Sequence, residues 1–554
     1  VLRLPEVDMY LLGAAHPADE VYLNSQKLKA HYVTPLTSGS VIRAAGETVY
    51  YSEIIGQFLR SEQKQRIVFE VKDVEFFFPN GKQGLHPVNL AEESGTLVAI
   101  IGASGSGKST LLNVLNGNLT PQRGRVLING FDIHRQPKCV AGVIGYVPQQ
   151  NFLIEELTVY QNLYFTTKLC YAHLSEFDVN RLVVQTLRSL GLYEAKDLRV
   201  GSALDKTISG GQRKRLNIGL ELVRQPLVMF VDEPTSGLSS RDSENIMDLL
   251  RELTMLGKLV FVVIHQPSPE IFKMFDKLIV MDTGGYQAYY GNPTEGVLYF
   301  KQLVHQIDRQ EVNSEQIFNI LEAKVVDEYG NATADRKVSP VRWYQYFREK
   351  IKIPVLEPTH EEPPHTLNIP NRWRQWRIFT LRDLLAKLSN RQYMVINLLQ
   401  APLLALLLAY IVRYHPVDEL TNRGNYVFAE NVNIPAFIFM SIIISLFMGL
   451  TMSAEEIIKD AKTRKREAFL HLSRNSYLAS KVFVLFGFSV IQTVSYVLVA
   501  NRIVGIEGMD LTYVLVLFSG ACFANLLGLN VSATFNSVIT IYILIPILLI
   551  PQLV

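Results

Sequence analysis

Five apolar stretches beyond Trp373 constrain this chain more than any other feature. Segments 393–412, 434–453, 482–501 and 511–530 each run about 20 residues almost without charge, the length needed to span hydrocarbon, and 538–554 begins a fifth. In hydrocarbon every backbone N–H and C=O must be paired within the protein, so such stretches become packed helices. The chain as a whole is nevertheless 19% charged, which a purely membranous protein is not, so a water-soluble part must precede these spans. With 54 Lys+Arg against 52 Asp+Glu there is no overall basic field, and nucleic acid is not an expected partner. Charge is instead local. Lys459, Lys462, Arg464, Lys465, Arg466, Arg474 and Lys481 crowd the loop between the second and third spans, whereas the flanking loops hold only Arg413, Arg423 and Arg502. The positive-inside rule puts the basic loop, and the soluble part with it, on the cytoplasmic side of an integral membrane protein. The run from Trp373, WRQWRIFTLRDLLAKLSN, interleaves aromatics with arginines. It reads either as a helix lying in the membrane interface or as a cytosolic extension of the first span.

The remaining sequence divides by texture. Residues 1–62 alternate short β-type runs with turn residues, as in VYLN, YVTPL and SVIRAAGETVYY, and read as a small β module. From 67 to 302, apolar runs such as LVAIIG, LVMFVDE and LVFVVIHQ alternate with helix-like runs, the pattern of a parallel α/β domain. Segment 303–370 contains PVLEPTHEEPPHTLNIPN, whose proline and acid content predicts a linker without a core. Segment 371–554 is the all-α transmembrane domain. Cys139, Cys170 and Cys522 are scattered without C-x-x-C spacing, which argues against a disulfide framework or a cysteine zinc site.

The α/β segment carries the chemistry. Gly102-Ala103-Ser104-Gly105-Ser106-Gly107-Lys108-Ser109, followed by Thr110, fits G-x-x-x-x-G-K-[ST] between a strand-like and a helix-like run. Glycines let backbone N–H groups wrap phosphate oxygens, the helix N-terminus adds its positive end, Lys108 would neutralise the β- and γ-phosphates and Ser109 would ligate Mg²⁺. An apolar strand then ends in Asp232 and Glu233. At the C-terminal edge of a parallel sheet, Asp232 is expected to hold Mg²⁺ and Glu233 to act as base toward the water that attacks ATP.

Between these motifs lies ISGGQRKRLNIG, with Ser209, Gly210, Gly211 and Gln212. Here the chain resembles the ATP-binding cassette (ABC) transporters, whose signature reads LSGGQ, with Ile208 in place of the leucine. The resemblance implies that Gln149 in GYVPQQ is the Q-loop glutamine near the metal, that His265 in VVIHQPS is the switch histidine, and that Phe78 in FFFPNG stacks on adenine. Where the family has S-x-L-D, this chain has Ser236-Gly-Leu-Ser239, so Ser239 replaces an aspartate implicated in communication between two ATP sites. A cassette that precedes its membrane region resembles the G subfamily, the White and breast-cancer-resistance-protein-like half-transporters. IHQPS and Arg466-Glu467-Ala-Phe469 resemble it too, and the phrasing of the cassette suggests a prokaryotic relative in a bacterial inner membrane. VYLNSQKL and TPLTSGSVIR in the first module resemble the last strands of a forkhead-associated (FHA) domain, without that domain's phosphate-holding segments.

The resemblance implies a half-transporter that homo- or heterodimerises, sandwiches ATP and Mg²⁺ between the phosphate loop of one subunit and Ser209–Gln212 of the other, and exports a small hydrophobic or amphipathic substrate. Two alternatives stay open: a membrane-anchored ATPase that transmits force or a signal without moving solute, and an importer. Asn397, Gln400, Gln492 and Asn525 within the spans would either face a substrate cavity or join helices. The last segment, about 17 residues, makes roughly 25 Å of helix against about 30 Å of hydrocarbon, so the parent chain is expected to continue beyond Val554 with a further span.

Overall fold

The computed structural model describes residues 1–554 apart from 5–8, 14–19, 25, 30–31, 37–39, 45–46, 55–65, 203–206, 305–312, 327–331, 358, 360, 365–366, 414–425, 427, 471, 536 and 554. The chain divides into two compact units, Val1–Leu153 with Thr158–Asn368, and Ile369–Val554 with Ile154–Leu157.

In the first unit, the N-terminal β-type runs form two small antiparallel sheets. One orders Leu2–Leu4, Met9–Gly13 and Val33–Leu36; the other orders Gln26–Lys27, Val21–Leu23, Val41–Ala44 and Glu47–Tyr50. Tyr10, Leu12, Leu23, Leu36, Ile42 and Tyr51 make their shared core.

The larger body is built on a six-stranded sheet: β1 (Leu97–Gly102), β2 (Ile144–Val147), β3 (Val228–Asp232), β4 (Leu259–Val263), β5 (Lys277–Asp282) and β6 (Tyr286–Gly291), in the order β2-β3-β4-β1-β5-β6. The first five strands are parallel and β6 is antiparallel. Side chains alternate faces along a strand, and here both faces are dry, which is why these strands read as unbroken apolar runs. Leu97, Ala99 and Ile101 of β1 join Met229 and Val231 of β3 in one core layer. Val98 and Ile100 join Val228, Phe230 and Phe261 in the other, beneath a four-stranded antiparallel sheet that includes Val68–Phe77 and Gln83–Glu93. The helices that matter for the site are α1 (Lys108–Leu115), α2 (Gly210–Leu222) and α3 (Ser240–Met255).

The segment expected to be a linker without a core contributes to this one. A hairpin pairs Lys324–Val326 with Ala332–Arg336, and Arg336 Nη1 reaches Asp282 Oδ1 at 2.7 Å. Helix α4 (Pro340–Lys350) buries Trp343 completely, its ring 5.2 Å from that of Phe300, and Phe347 almost completely. Two large aromatics four residues apart on one helical stripe outweigh the polar residues around them. The proline- and acid-rich stretch that follows forms no helix or strand among its described residues.

The second unit is helical: α5 (Arg372–Ser389), α6 (Arg391–Val412), α7 (Ile434–Ser453), α8 (Glu456–Glu467), α9 (Arg474–Val504), α10 (Asp510–Thr534) and α11 (Val538–Leu553). Among the described residues, four helices are long and apolar enough to cross a membrane, and the apolar part of α11, Val538–Leu548, is shorter. The basic loop read from the sequence is largely the helix α8. Small residues let α7 and α10 touch: a Cβ on Gly449 would lie 2.7 Å from the Ala521 carbonyl oxygen, and one on Gly528 would lie 2.0 Å from Ser453 Oγ. Of the polar residues in the spans, Gln492 donates to the Asn397 carbonyl at 3.0 Å and Asn525 to Ser489 Oγ at 2.8 Å, and all three of Asn397, Gln492 and Asn525 are buried. In this chain they bind helix to helix.

Candidate functional site

β1 is apolar and wholly buried, so it delivers residues 102–107 at the C-terminal edge of the sheet with little freedom, and α1 begins directly after them. A Cβ on Gly102 would sit 2.2 Å from the Met281 carbonyl oxygen, which fixes glycine there. Gly105 (φ 76°) and Gly107 (φ 89°) have left-handed backbones, and no heavy atom lies within 4 Å of where a Cβ on Gly105 would stand. The loop is an open cradle of backbone at a helix N-terminus. Lys108 Nζ donates to the carbonyls of Gly102 (2.8 Å) and Ala103 (2.9 Å), and burial pulls its pKa down against the opposing pull of Glu233 and Asp232. Ser106 Oγ is buried without a hydrogen-bond partner. A cradle that leaves an ammonium satisfied only by carbonyls and a buried hydroxyl unsatisfied fits an incoming group rich in acceptor oxygens, as a polyphosphate is.

Opposite the loop, β3 ends in the two predicted carboxylates. Asp232 is 8% exposed, and burial, reinforced by the charge of Glu233 and offset by Lys214 and Lys108, lifts its pKa from 3.8 to about 6. A carboxylate that burial and a neighbouring negative charge leave at a disadvantage is stabilised by a cation beside it, as a Mg²⁺ ligand would be. Glu233 has a left-handed backbone (φ 44°), unusual for a residue with a side chain, and its N–H is fixed by the Val263 carbonyl at 2.9 Å. Gln266, at the end of the next strand, has φ 45°. Strain concentrated where two neighbouring strands end is the kind that surrounding structure must enforce. Gln149 Nε2 donates to Glu233 Oε2 at 2.7 Å, so these residues, 84 positions apart, meet. Glu233 and His265 line one cleft of about 310 Å³, together with Ser236 and Ser240.

Phe78 is 38% exposed on the turn before Gln83–Glu93, set edge-on to Phe76 at 5.2 Å. Its ring is only 2.7 Å from where a Cβ on Gly84 would stand, and the Gly84 carbonyl in turn lies 3.2 Å from where one on Gly107 would be. A part-exposed aromatic ring thus stands beside the phosphate loop.

Ser209, Gly210, Gly211 and Gln212 are not gathered into this cluster by any contact among the described residues. They head α2, where Ser209 and Gln212 form a reciprocal cap: the Ser209 N–H donates to Gln212 Oε1 (2.9 Å) and the Gln212 N–H to Ser209 Oγ (3.1 Å). Ser209 and Gly210 are exposed, whereas Gly211 faces α3 so closely that a Cβ would stand 2.6 Å from Asp242 Oδ1. Ser239 caps α3, accepting from the Asp242 N–H at 3.2 Å and donating to Asp242 Oδ2 at 2.8 Å. An aspartate here could still accept from the Asp242 N–H, but it has no proton to give to Asp242 Oδ2 and would bring a second carboxylate up to it.

Sequence reasoning missed Lys214. Its ammonium, nearly buried, donates to the Gln149 carbonyl at 2.6 Å and to the Glu233 carbonyl at 3.4 Å, tying α2 to both site strands. The signal was there: Gly211, Lys214, Ile218 and Glu221 share the buried stripe of α2, and a lysine on such a stripe needs a partner.

Comparison with known proteins agrees with this geometry. Residues 85–236 match the ABC transporter family, 374–554 the ABC-2 type transporter family, and 265–362 a second family described as ABC-2 type transporter. Putative white-brown complex homolog protein 30 of Arabidopsis thaliana is 34% identical over 301 residues, 53% of this chain and 27% of the relative. ABC transporter G family member 25 of Oryza sativa subsp. japonica is 38% identical over 265 residues, 47% of this chain and 26% of the relative. ABC transporter G family member 13 of Arabidopsis thaliana is 36% identical over 238 residues, 41% of this chain and 34% of the relative. The chain therefore spans about a quarter to a third of the length of these relatives. With a match to the ABC transporter family first and one to the ABC-2 type transporter family after it, the chain is similar, over the shares given, to members of the ABC transporter G family.

Proposed function

We propose that this chain is an ATPase that works as a dimer, homo- or heteromeric, and exports a small hydrophobic or amphipathic substrate across a bilayer. The observation that carries the reading is the Gln149–Glu233 hydrogen bond of 2.7 Å at the edge where β3 also presents Asp232, in a chain that carries four membrane-length helices. Backbone N–H groups from Gly102 to Gly107, with Lys108 and Thr110 at the head of α1, hold the phosphates. Ser109, Asp232 and Gln149 hold Mg²⁺, which supplies charge neutralisation when bound. Glu233 takes the proton from the attacking water, His265 lines the cleft from the neighbouring strand, and Phe78 offers its face to adenine. The exposed Ser209 and Gly210, with no contact to their own phosphate loop among the described residues, serve the nucleotide of the second subunit. By the positive-inside rule the basic α8 supports a cytoplasmic cassette, and a bacterial inner membrane is the proposed setting.

A second reading, force or signal transmission without solute movement, draws support from the N-terminal module, for which we keep an FHA-like origin as part of that proposal. The Ser52 N–H (3.3 Å) and Oγ (2.5 Å) both donate to the buried Asp248 Oδ1 on α3, the helix that begins at Ser239, so the module has a direct mechanical hold on it. The test common to both readings is Glu233→Gln. ATP should still bind while turnover falls roughly 10²- to 10⁴-fold; near-normal hydrolysis would refute the assignment of the base. Transport of candidate amphiphiles by the full-length protein in liposomes then separates export from pure force transmission.

A further inference from the structure

The helical unit contains charge that its own structure leaves unbalanced. Beneath the spans, α5, α8 and α9 share an ion network in which Asp383, Glu456, Asp460 and Glu467 are matched by Lys387, Lys481, Arg382 and Arg466. Four carboxylates meet four cations, and the network is neutral. Next to it lies a cavity of about 560 Å³, within the range of about 300–1,000 Å³ that small-ligand sites occupy. Arg464, Lys465 and Arg474 line it. A second cavity of about 370 Å³ shares Ser473 and Arg474 with the first and adds Arg372. None of these four cations has an ion-pair partner among the described residues, and the carboxylate in the first cavity, Glu467, is already bound by Arg382. Like charges gathered around a concave surface repel one another, and an anion is the economical way to relieve them.

The rest of the lining says what kind of anion. Phe379, Leu472 and Tyr477 give the cavity an apolar side, and the Arg464 guanidinium lies 5.1 Å over the Tyr477 ring, which holds it in place. Ser473 caps the 31-residue helix α9, so the positive end of a long helix also points at the site. The level is that of a membrane interface. Trp373 and Trp376 stack at 4.6 Å, Trp376 meets Phe483 of α9 at 5.3 Å, and Trp373 is 71% exposed, as expected of an interfacial aromatic belt. A cationic, half-apolar hollow at the foot of a span suits an anion that brings its own apolar body.

We propose that this hollow binds the phosphate headgroup of an anionic phospholipid from the leaflet on the basic side, with Arg464, Lys465 and Arg474 around the phosphate and Phe379, Leu472 and Tyr477 against the glycerol and upper chains. A bound lipid bridges α5, α8 and the start of α9. The proposal is independent of the ATPase reading.

The test uses the whole protein in phosphatidylcholine nanodiscs, titrated with dansyl-labelled phosphatidylglycerol and read by energy transfer from tryptophan; Trp373 and Trp376, two of the three tryptophans, flank the site. Each cation near an anionic surface is worth roughly five-fold in affinity. The triple variant R464Q/K465Q/R474Q should therefore bind the probe on the order of 10²-fold more weakly. The exposed pair alone, K465E/R474E, should lose at least as much per residue, and it guards against a folding defect at the half-buried Arg464. R391Q/K459Q/K462Q, which changes cations outside both cavities, should bind as the wild type does. Unchanged binding by the triple and charge-reversed variants would overturn the proposal, as would an equal loss in R391Q/K459Q/K462Q. A third arm adds inorganic phosphate or glycerol 1-phosphate at millimolar concentration: failure to displace the probe supports a lipid, and full displacement would assign the site to a soluble phosphate instead.

Discussion

Asp232→Asn should stabilise the nucleotide-free protein while disabling its site. The Asp232 carboxyl is lifted from 3.8 to about 6, chiefly by burial. Each ten-fold change in proton affinity is about 1.4 kcal/mol, so the charged carboxylate costs the folded state about 3 kcal/mol at pH 7.5. The sign follows from proton uptake. Between 3.8 and about 6 the folded state holds the proton more tightly than the unfolded state does, so stability rises as pH falls through that window. An asparagine of nearly the same shape carries no charge to desolvate and gains up to that amount at pH 7.5. For a domain of roughly 200 residues each kcal/mol moves Tm by about 2–4 °C, which places the gain at roughly 6–12 °C as an upper bound. Thermal unfolding of the full chain in detergent micelles, followed at the cassette transition without Mg²⁺ or ATP, reads it directly. The advantage of the variant should shrink toward zero at pH 4, and Mg²⁺-ATP should raise the Tm of the wild type far more than that of the variant. An equal or lower Tm for Asp232→Asn at pH 7.5, or a gain that does not depend on pH, would refute the reasoning that burial holds this carboxyl at an energetic disadvantage for the sake of a cation.

Trp343→Ala empties the largest wholly buried side chain of the core and should destabilise the cassette by about 3–5 kcal/mol, seen as a lowered cassette Tm; a loss under about 1 kcal/mol would return residues 303–370 to the status of a linker. Ser239→Asp keeps an acceptor at the cap of α3 but loses the bond to Asp242 Oδ2, and should cost about 1 kcal/mol of stability while it tightens coupling between two ATP sites; an unchanged Hill coefficient together with an unchanged basal ATPase would show that the exchange does not affect coupling. Cysteines at Lys465 and Asn433 should differ in labelling by an impermeant maleimide on intact cells, with Asn433 reactive and Lys465 protected. The reverse pattern would invert the topology.

The site was largely legible because its chemistry restricts residue type and spacing together. A phosphate cradle needs Gly102, Gly105 and Gly107 at fixed intervals, and a metal-and-base pair needs Asp232 and Glu233 at the end of a dry strand, so local sequence carried both. The meeting of Gln149 with Glu233 was not legible, since nothing local joins residues 84 positions apart. Lys214 escaped because its partners are backbone carbonyls on other elements, which leave no mark on composition. In segment 303–370 the conspicuous prolines and acids hid the stripe of Trp343 and Phe347, and density of polar residues is a weaker guide to burial than the pattern of the few large apolar ones. The polar residues of the spans posed a question the sequence left open, cavity or glue, and the bonds of Gln492 and Asn525 within one chain answer for those two.

The order of strands in the central sheet also dictates when this protein can fold. β1, which carries the phosphate loop, is made early, yet its two neighbours in the sheet are β4 and β5, whose residues come more than 150 positions later. The Ser52–Asp248 contact closes a loop of 196 residues. At about 5–20 residues per second on the ribosome, roughly 10–40 s pass between synthesis of Ser52 and of its partner. From its own synthesis until β4 emerges, more than 150 residues later, β1 is a wholly apolar strand with both edges unpaired, the kind of template on which nascent chains aggregate. Any nascent chain that stops short of β5 leaves β1 open on that side, so folding of the cassette must wait for nearly all of its length to emerge, and the early half depends on being shielded until it does.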